Sequence, residues 1–196
     1  MNMQKIGTLV VGIIFLGSTV AYAMSFAFSN PQNQGILDPV KGNEDAKVTI
    51  VEYSSYTCSF CGEAEKTIGN ILSNYTGDVK VVFKSFPTDD NSLKILHAAE
   101  CANLQGKFWE YHNRLFNTEL PISNDDLTSI AKEIGLDMDD FNNCRSLNSV
   151  QREVLNDRQE GIDKGVEGIP TFFINDKKVV GAQSYSTFKN IIERNL

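Results

Sequence analysis

Two cysteines three residues apart, Cys58 and Cys61, sit where a β-rich run gives way to a helical pattern, in VTIVEYSSYTCSFC (residues 48–61). Val48, Ile50 and Val51 are β-branched and Tyr53 continues the run, so the stretch opens as a strand. It turns through Ser54, Ser55 and Tyr56 and delivers Cys58 to the start of a helix, with Cys61 one turn on. The first turn of a helix carries unpaired N–H groups and the positive end of the macrodipole, and both stabilise a thiolate. A thiolate is the form that attacks disulfides. The spacing therefore points to thiol–disulfide exchange, with Cys58 as the exposed nucleophile and Cys61 as the buried thiol that resolves the mixed disulfide. The competing reading is half of a zinc site, which needs a second Cys-x-x-Cys or a His pair. Cys101 and Cys144 stand alone, and His97 and His112 are not spaced as a finger. A purely structural four-residue disulfide is weaker still, because so short a loop removes little unfolded-state entropy.

The rest of the chain must hold that turn in place. Its 196 residues, 41% of them apolar, suffice for one domain with a sizeable core. A net charge of −7 argues against binding nucleic acid. Four cysteines suit an oxidising compartment. Residues 1–28 supply one: Lys5 precedes the apolar run IGTLVVGIIFLGSTV and then Ala21-Tyr22-Ala23, the pattern of a secretory signal. The apolar character continues through Met24, Phe26 and Phe28, long enough for a membrane anchor. Signal peptide or anchor, either puts the remainder outside the cytoplasm, in the periplasm or at the cell surface.

Residues 29–46, polar and rich in Pro and Gly, read as a tether and lead-in. A strand over 47–53, a helix over 59–75 and a strand over 78–86 make a parallel pair with a right-handed crossover. Residues 91–116 read as one long helix with Leu93, His97, Cys101, Leu104, Phe108 and Leu115 on its inward stripe. His97 is expected to be packed and hydrogen-bonded, and Trp109 and Tyr111 to serve packing. Further helices are expected over 124–134, 137–145 and 148–164, the last with Val150, Val154, Leu155 and Ile162 inward. Residues 90–165 thus form a helical block between two parts of a sheet. Gly168-Ile169-Pro170-Thr171 then leads into TFFIN, a hairpin with KVVGA and a closing helix from Ser184. Cys101 and Cys144 both face inward within the helical block, which predicts a structural disulfide.

This order, with VTIVEYSSYTCSFC, CANLQGKFWEYHNRLF and GVEGIPTFFIN, resembles the DsbA-like thiol–disulfide oxidoreductases of the thioredoxin-fold superfamily over roughly residues 36–196. The resemblance implies an α/β thioredoxin-like fold over 47–196 with the helical block inserted between the second strand and a cis-Pro hairpin. It implies Cys58 as nucleophile, Cys61 as resolving thiol and a cis bond before Pro170. Backbone groups of Ile169 would face Cys58 and pair with an extended substrate. It also implies buried charges behind the disulfide that help move protons: Glu52 matches one such position, and Glu65 and Lys84 are matched to two more. No cofactor or metal is implied. The expected partners are cysteine-containing extracytoplasmic proteins and a quinone-linked membrane thiol oxidase, with the chain a monomer.

The sequence also departs from the family. Ser59 stands where many members carry proline, and Phe60 where the enteric oxidases carry histidine. Without an imidazolium, the helix N-terminus alone must lower the Cys58 pKa. Taking a thiolate pKa of about 5, the expectation is a mild oxidant that donates its disulfide to folding proteins. The same chemistry run as reductase or isomerase, and a non-enzymatic chaperone or binding module using the groove beside Pro170, are the alternatives.

Overall fold

The computed structural model describes residues 35–196. The segment read as signal or anchor, 1–28, lies outside them, as does the start of the tether. Among the described residues no helix is long and apolar enough to cross a membrane.

The described residues form a mixed five-stranded sheet in the order β1-β3-β2-β4-β5, with seven helices. The centre is β2 (Val48–Ser54), parallel to β3 (Val79–Ser85) on one side and antiparallel to β4 (Thr171–Ile174) on the other. The short β1 (Val40–Gly42) pairs antiparallel with β3, and β5 (Lys177–Val180) closes a hairpin with β4. β1 falls in the stretch read from sequence as lead-in. Three residues are too few for an alternating pattern to register.

Period-two alternation divides β2 between two faces. Val48 and Ile50 pack with Ala64, Ile68 and Ile71 of α1 (Ser59–Asn74) and with Phe188 and Ile192 of α7 (Tyr185–Ile192). Tyr53 and Val51 face the other way, toward Phe86, Val166, Ile169 and Phe173. Between β3 and β4 lie α2 (Asp90–Asn103), α3 (Phe108–Phe116), α4 (Asn124–Glu133), α5 (Met138–Cys144) and α6 (Asn148–Asp163), which share a core of their own.

Two expectations about this block need correction. Residues 91–116 are two helices, because Gly106 adopts a left-handed φ of +70° that other residues rarely take. Leu104, expected on the inward stripe, follows the end of α2 and is 53% exposed. In α6 the inward face holds Val150, Val154, Asp157 and Gly161, while Leu155 and Ile162 point outward. Hydrophobicity misleads there because the inward positions do two different jobs. Asp157 accepts from Ser85 N–H and from Lys84. At Gly161 a Cβ would come within 2.9 Å of the Tyr53 and Phe86 rings, so only glycine lets the helix approach.

Candidate active site: a dithiol at a helix N-terminus backed by buried carboxyls

Cys58 is itself the N-cap of α1, with extended backbone (φ −98°, ψ 114°). Its Sγ occupies the place where a serine or aspartate oxygen normally accepts from the helix. The Cys61 N–H donates to Cys58 Sγ at 3.2 Å. The first turn of α1 contains no acidic residue to oppose a thiolate. Cys58 is half-buried and Cys61 fully buried, and both are free thiols. Their pKa values move apart. Cys58 is lowered to about 7, first by its hydrogen bond with the Cys61 thiol, against a burial penalty, and further by the Cys61 and Phe60 N–H groups. Burial, with the Cys58 contact second, pushes Cys61 far up. The pair is thus one ready nucleophile and one thiol that stays protonated until a base acts on it.

The turn before β4 faces this pair. The Ile169–Pro170 peptide bond is cis, and the Ile169 carbonyl lies 3.7 Å from Cys58 Sγ, within reach of the thiol as donor. The Thr171 hydroxyl donates to Gly168 O at 2.6 Å and Gly181 N–H donates to Pro170 O at 2.8 Å. Pro170 is buried, Ile169 half-buried and Gly168 exposed. The carbonyls on either side of Ile169 are thus both held by hydrogen bonds, which fixes the turn that carries the Ile169 carbonyl beside Cys58.

Behind the dithiol, Glu52 is 1% exposed on β2, and its carboxyl meets that of Glu65, which reaches in from α1. Burial, and then the Glu65 charge, hold the Glu52 carboxyl well above the usual carboxylate range. Glu52 Oε1, Glu65 Oε1 and Ser54 Oγ are all buried without a conventional hydrogen-bond partner. Glu65 Oε2 does have one, His112 Nε2 of α3, at 3.0 Å. The other imidazole nitrogen of His112 faces the Tyr56 hydroxyl at 3.2 Å.

The structure thus brings Cys58, Cys61, Ile169 and Pro170 together at the N-terminus of α1, with Glu52 and Glu65 behind them. Lys84 does not join them. It pairs across β2 with Tyr53, on the other face of the sheet, and its ammonium meets Asp38, Asp157 and Glu160 at 2.7–3.0 Å. Adjacent strand positions point to opposite faces, so a match by sequence distance alone could not place it. Cys101 and Cys144 lie elsewhere, in the helical block. Their sulfurs are bonded, with Cα atoms 5.8 Å apart, and His97 Nε2 lies 3.2 Å from Cys144 O. Trp109 and Tyr111 pack, donating to Val40 O and Leu127 O respectively.

Sequence reasoning missed Ser54, Tyr56 and His112. A readable signal for His112 was its place between Phe108 and Leu115 at helical spacing, a polar residue on an apolar stripe.

The thioredoxin family model (Thioredoxin_4) matches residues 36–194. A thioredoxin-like oxidoreductase from Silicibacter pomeroyi DSS-3 superposes with a TM-score of 0.75 at 25% identity, covering 80% of this chain and 91% of that one. The thiol–disulfide exchange protein alpha-DsbA2 from Wolbachia pipientis superposes with a TM-score of 0.74 at 26% identity, covering 80% and 86%. Among curated relatives, a Na(+)/H(+) antiporter NhaA 1 of Mycobacterium sp. (strain KMS) is 30% identical over 192 residues. That match takes in 87% of this chain, which spans only 31% of the antiporter's length. The family match over residues 36–194 shows that the chain belongs to the thioredoxin family, and its fold is similar to that of DsbA-like thiol–disulfide oxidoreductases.

Proposed function

We propose that this protein works outside the cytoplasm, donating its Cys58–Cys61 disulfide to cysteine-containing secreted or surface proteins. The observation that carries the reading is Cys58 Sγ as the cap of α1, 3.2 Å from the Cys61 N–H and 3.7 Å from the Ile169 carbonyl. In this reading a substrate thiolate attacks Cys58 Sγ, the intramolecular S–S bond breaks, and Cys61 leaves as a thiolate that must take up a proton in a buried site. A second substrate thiolate then attacks the substrate sulfur of the mixed disulfide, and Cys58 leaves as a thiolate. A membrane thiol oxidase of the quinone-reducing kind would restore the disulfide. The extracytoplasmic assignment rests on residues 1–28. The similarity to part of a protein named a Na(+)/H(+) antiporter supports work at a membrane surface; antiport itself is not proposed. The working unit is a single chain, and Cys101–Cys144 serves it as a structural disulfide.

Glu52 and Glu65 are read as the proton store. One proton shared between the two carboxyls satisfies both orphaned oxygens and leaves a pair able to give a proton to Cys61 or take one from it. Lys84, on the other face, is no part of that exchange.

The Cys58 pKa favours a second reading, the same exchange run as a reductase. A value of about 7 is that of a thioredoxin-like thiol, whereas the strongest oxidants of this fold reach about 3.5. Trapping tests the assignment common to both readings. Cys61→Ser should accumulate mixed disulfides with secreted proteins, and Cys58→Ser should not. Equal trapping by both variants would overturn it. The equilibrium potential against glutathione then sets the direction.

A further inference from the structure

The reading of Glu52 and Glu65 as a proton store raises a question of access. The buried Cys61 changes its protonation state while a substrate is bonded to Cys58, so the substrate itself covers the Ile169 side. A proton then needs another way in or out. A groove of about 220 Å³ opens between α1 and α3, and Gly62, Glu65, Lys66, Trp109, His112 and Phe116 are among its walls. Neither Cys58 nor any residue of the Gly168–Thr171 turn lines it. The Glu65 side chain is 20% exposed, whereas His112 is 1% exposed.

We propose, resting on that reading, that His112 is a positioning residue for proton transfer at Cys61. Its imidazole pins one oxygen of Glu65 at the floor of the α1–α3 groove, so that the Glu52–Glu65 pair exchanges protons with solvent behind a docked substrate. The hydrogen bonds fix how this works. Tyr56 is buried, and burial together with the Glu100, Glu65 and Glu52 charges keeps its hydroxyl protonated. In the arrangement proposed here the hydroxyl donates to the ring nitrogen it faces, Nδ1, at 3.2 Å. Nε2 is left carrying a hydrogen, and it donates to Glu65 Oε2 at 3.0 Å. The ring cannot swing away: Tyr56, Phe83, Phe108, Trp109 and Phe116 surround it, their ring centroids 4.9–5.6 Å from its own. With Oε2 engaged, Glu65 Oε1, buried and otherwise unpartnered, is the oxygen left for Glu52. The titratable groups facing His112 are Glu65 from α1 and Tyr56 from the loop before it, with Glu52 of β2 behind Glu65. Lys41 and Lys66 stand at the groove. From β3 it meets only the Phe83 ring.

The test is the step in which Cys61 displaces glutathione from a Cys58–glutathione mixed disulfide. Cys61 gives its proton to the Glu pair, its thiolate attacks Cys58 Sγ, the old S–S bond breaks and glutathione leaves as thiolate. The rate is measured from pH 5 to 9 on the full chain for wild type, His112→Phe, His112→Gln and Glu52→Gln. Phe fits the aromatic cage but cannot donate, whereas the Gln amide can. His112→Phe should slow the step about tenfold at pH 7 and move the profile by about one pH unit. His112→Gln should recover to within about threefold of wild type. Iodoacetamide alkylation of Cys58 should keep its wild-type pH profile in both. If Glu52→Gln moves the profile and His112→Phe does not, the role of His112 is refuted and the proton store stands. If neither moves it, the store itself falls, and this inference with it. A uniform loss of rate, equal in His112→Phe and His112→Gln and without displacement along the pH axis, would reduce His112 to packing.

Discussion

Closing the Cys58–Cys61 bond changes stability in two opposing ways, and the structure says which dominates. In the chain-entropy account, cross-linking a four-residue loop removes about 1.9 kcal/mol of unfolded-state entropy and so favours the oxidised protein at every pH. The reduced protein gains from the Cys58 thiolate. Its folded pKa, about 7, lies below the unfolded value of about 8.5. A depressed folded pKa contributes fully above the unfolded value and is lost as pH falls through the folded one. The thiolate therefore contributes almost nothing at pH 6, about 0.4 kcal/mol at pH 7 and about 1.3 kcal/mol at pH 8. All are upper bounds, since half-exposed Cys58 is screened by solvent. Cys61 works the other way, because its raised folded pKa withholds an ionisation that the unfolded chain begins to enjoy near pH 8, by about 0.2 kcal/mol. Denaturant melts of the two redox forms should find the oxidised protein more stable by about 2 kcal/mol at pH 6, the gap narrowing by at most about 1 kcal/mol by pH 8. At pH 7 a gap of about 1.5 kcal/mol corresponds to a disulfide about 30 mV harder to reduce than in the unfolded chain. A pKa of about 5 would have reversed the order. Finding the reduced form more stable at pH 7, or the gap widening with pH, would refute the argument and restore the stronger oxidant.

Two other expectations concern the frame around the site. Gly161→Ala should destabilise the protein by about 1 kcal/mol in denaturant melts. The added Cβ, 2.9 Å from the Tyr53 and Phe86 rings, overpacks by about 1–3 kcal/mol, more than the helix propensity gained, about 1 kcal/mol; a stabilised variant would contradict this packing. Lys84→Met should lose about 3–5 kcal/mol at pH 7 by leaving Asp157 buried without its cation, yet leave the pH profile of glutathione displacement by Cys61 unmoved. A displaced profile would return Lys84 to the proton path.

Much of the fold was legible because it is written in periodicity. The alternation of VTIVEY and VKVVF places β2 and β3, and the apolar stripe of α1 places the crossover. The failures have a common physical form: a helix boundary or a buried face decided by something other than hydrophobicity. Gly106 ends the α2 region by its backbone conformation, while the residues on either side keep a helical pattern. On α6, burial at 157 and 161 follows from an ion pair and from the width of two rings, and both are properties of other strands.

The candidate site divides along the same line. Cys58, Cys61, Ile169 and Pro170 are local features, a helix cap and a turn, and short motifs carry them. The groups behind the dithiol are assembled across elements, and there sequence distance stops informing. Glu52 reaches its place because it shares a strand face with Ile50, and Glu65 because it lies one turn beyond Cys61 on α1. Lys84 lies in β3 opposite Tyr53, and alternation sends that position to the α6 side. There its charge is taken up by three carboxylates, so no cation faces Glu52 from β3; the residue opposite Glu52 is Phe83. The second partner of Glu65 comes instead from α3, the His112 imidazole, whose other nitrogen faces the Tyr56 hydroxyl. A lysine beside the carboxyls would favour their ionised forms and work against the shared proton proposed for the pair. The face on which Lys84 lies therefore bears directly on the proposed proton store: it leaves the Glu52 and Glu65 carboxyls behind the disulfide without a lysine between them, and burial holds Glu52 above the usual carboxylate range.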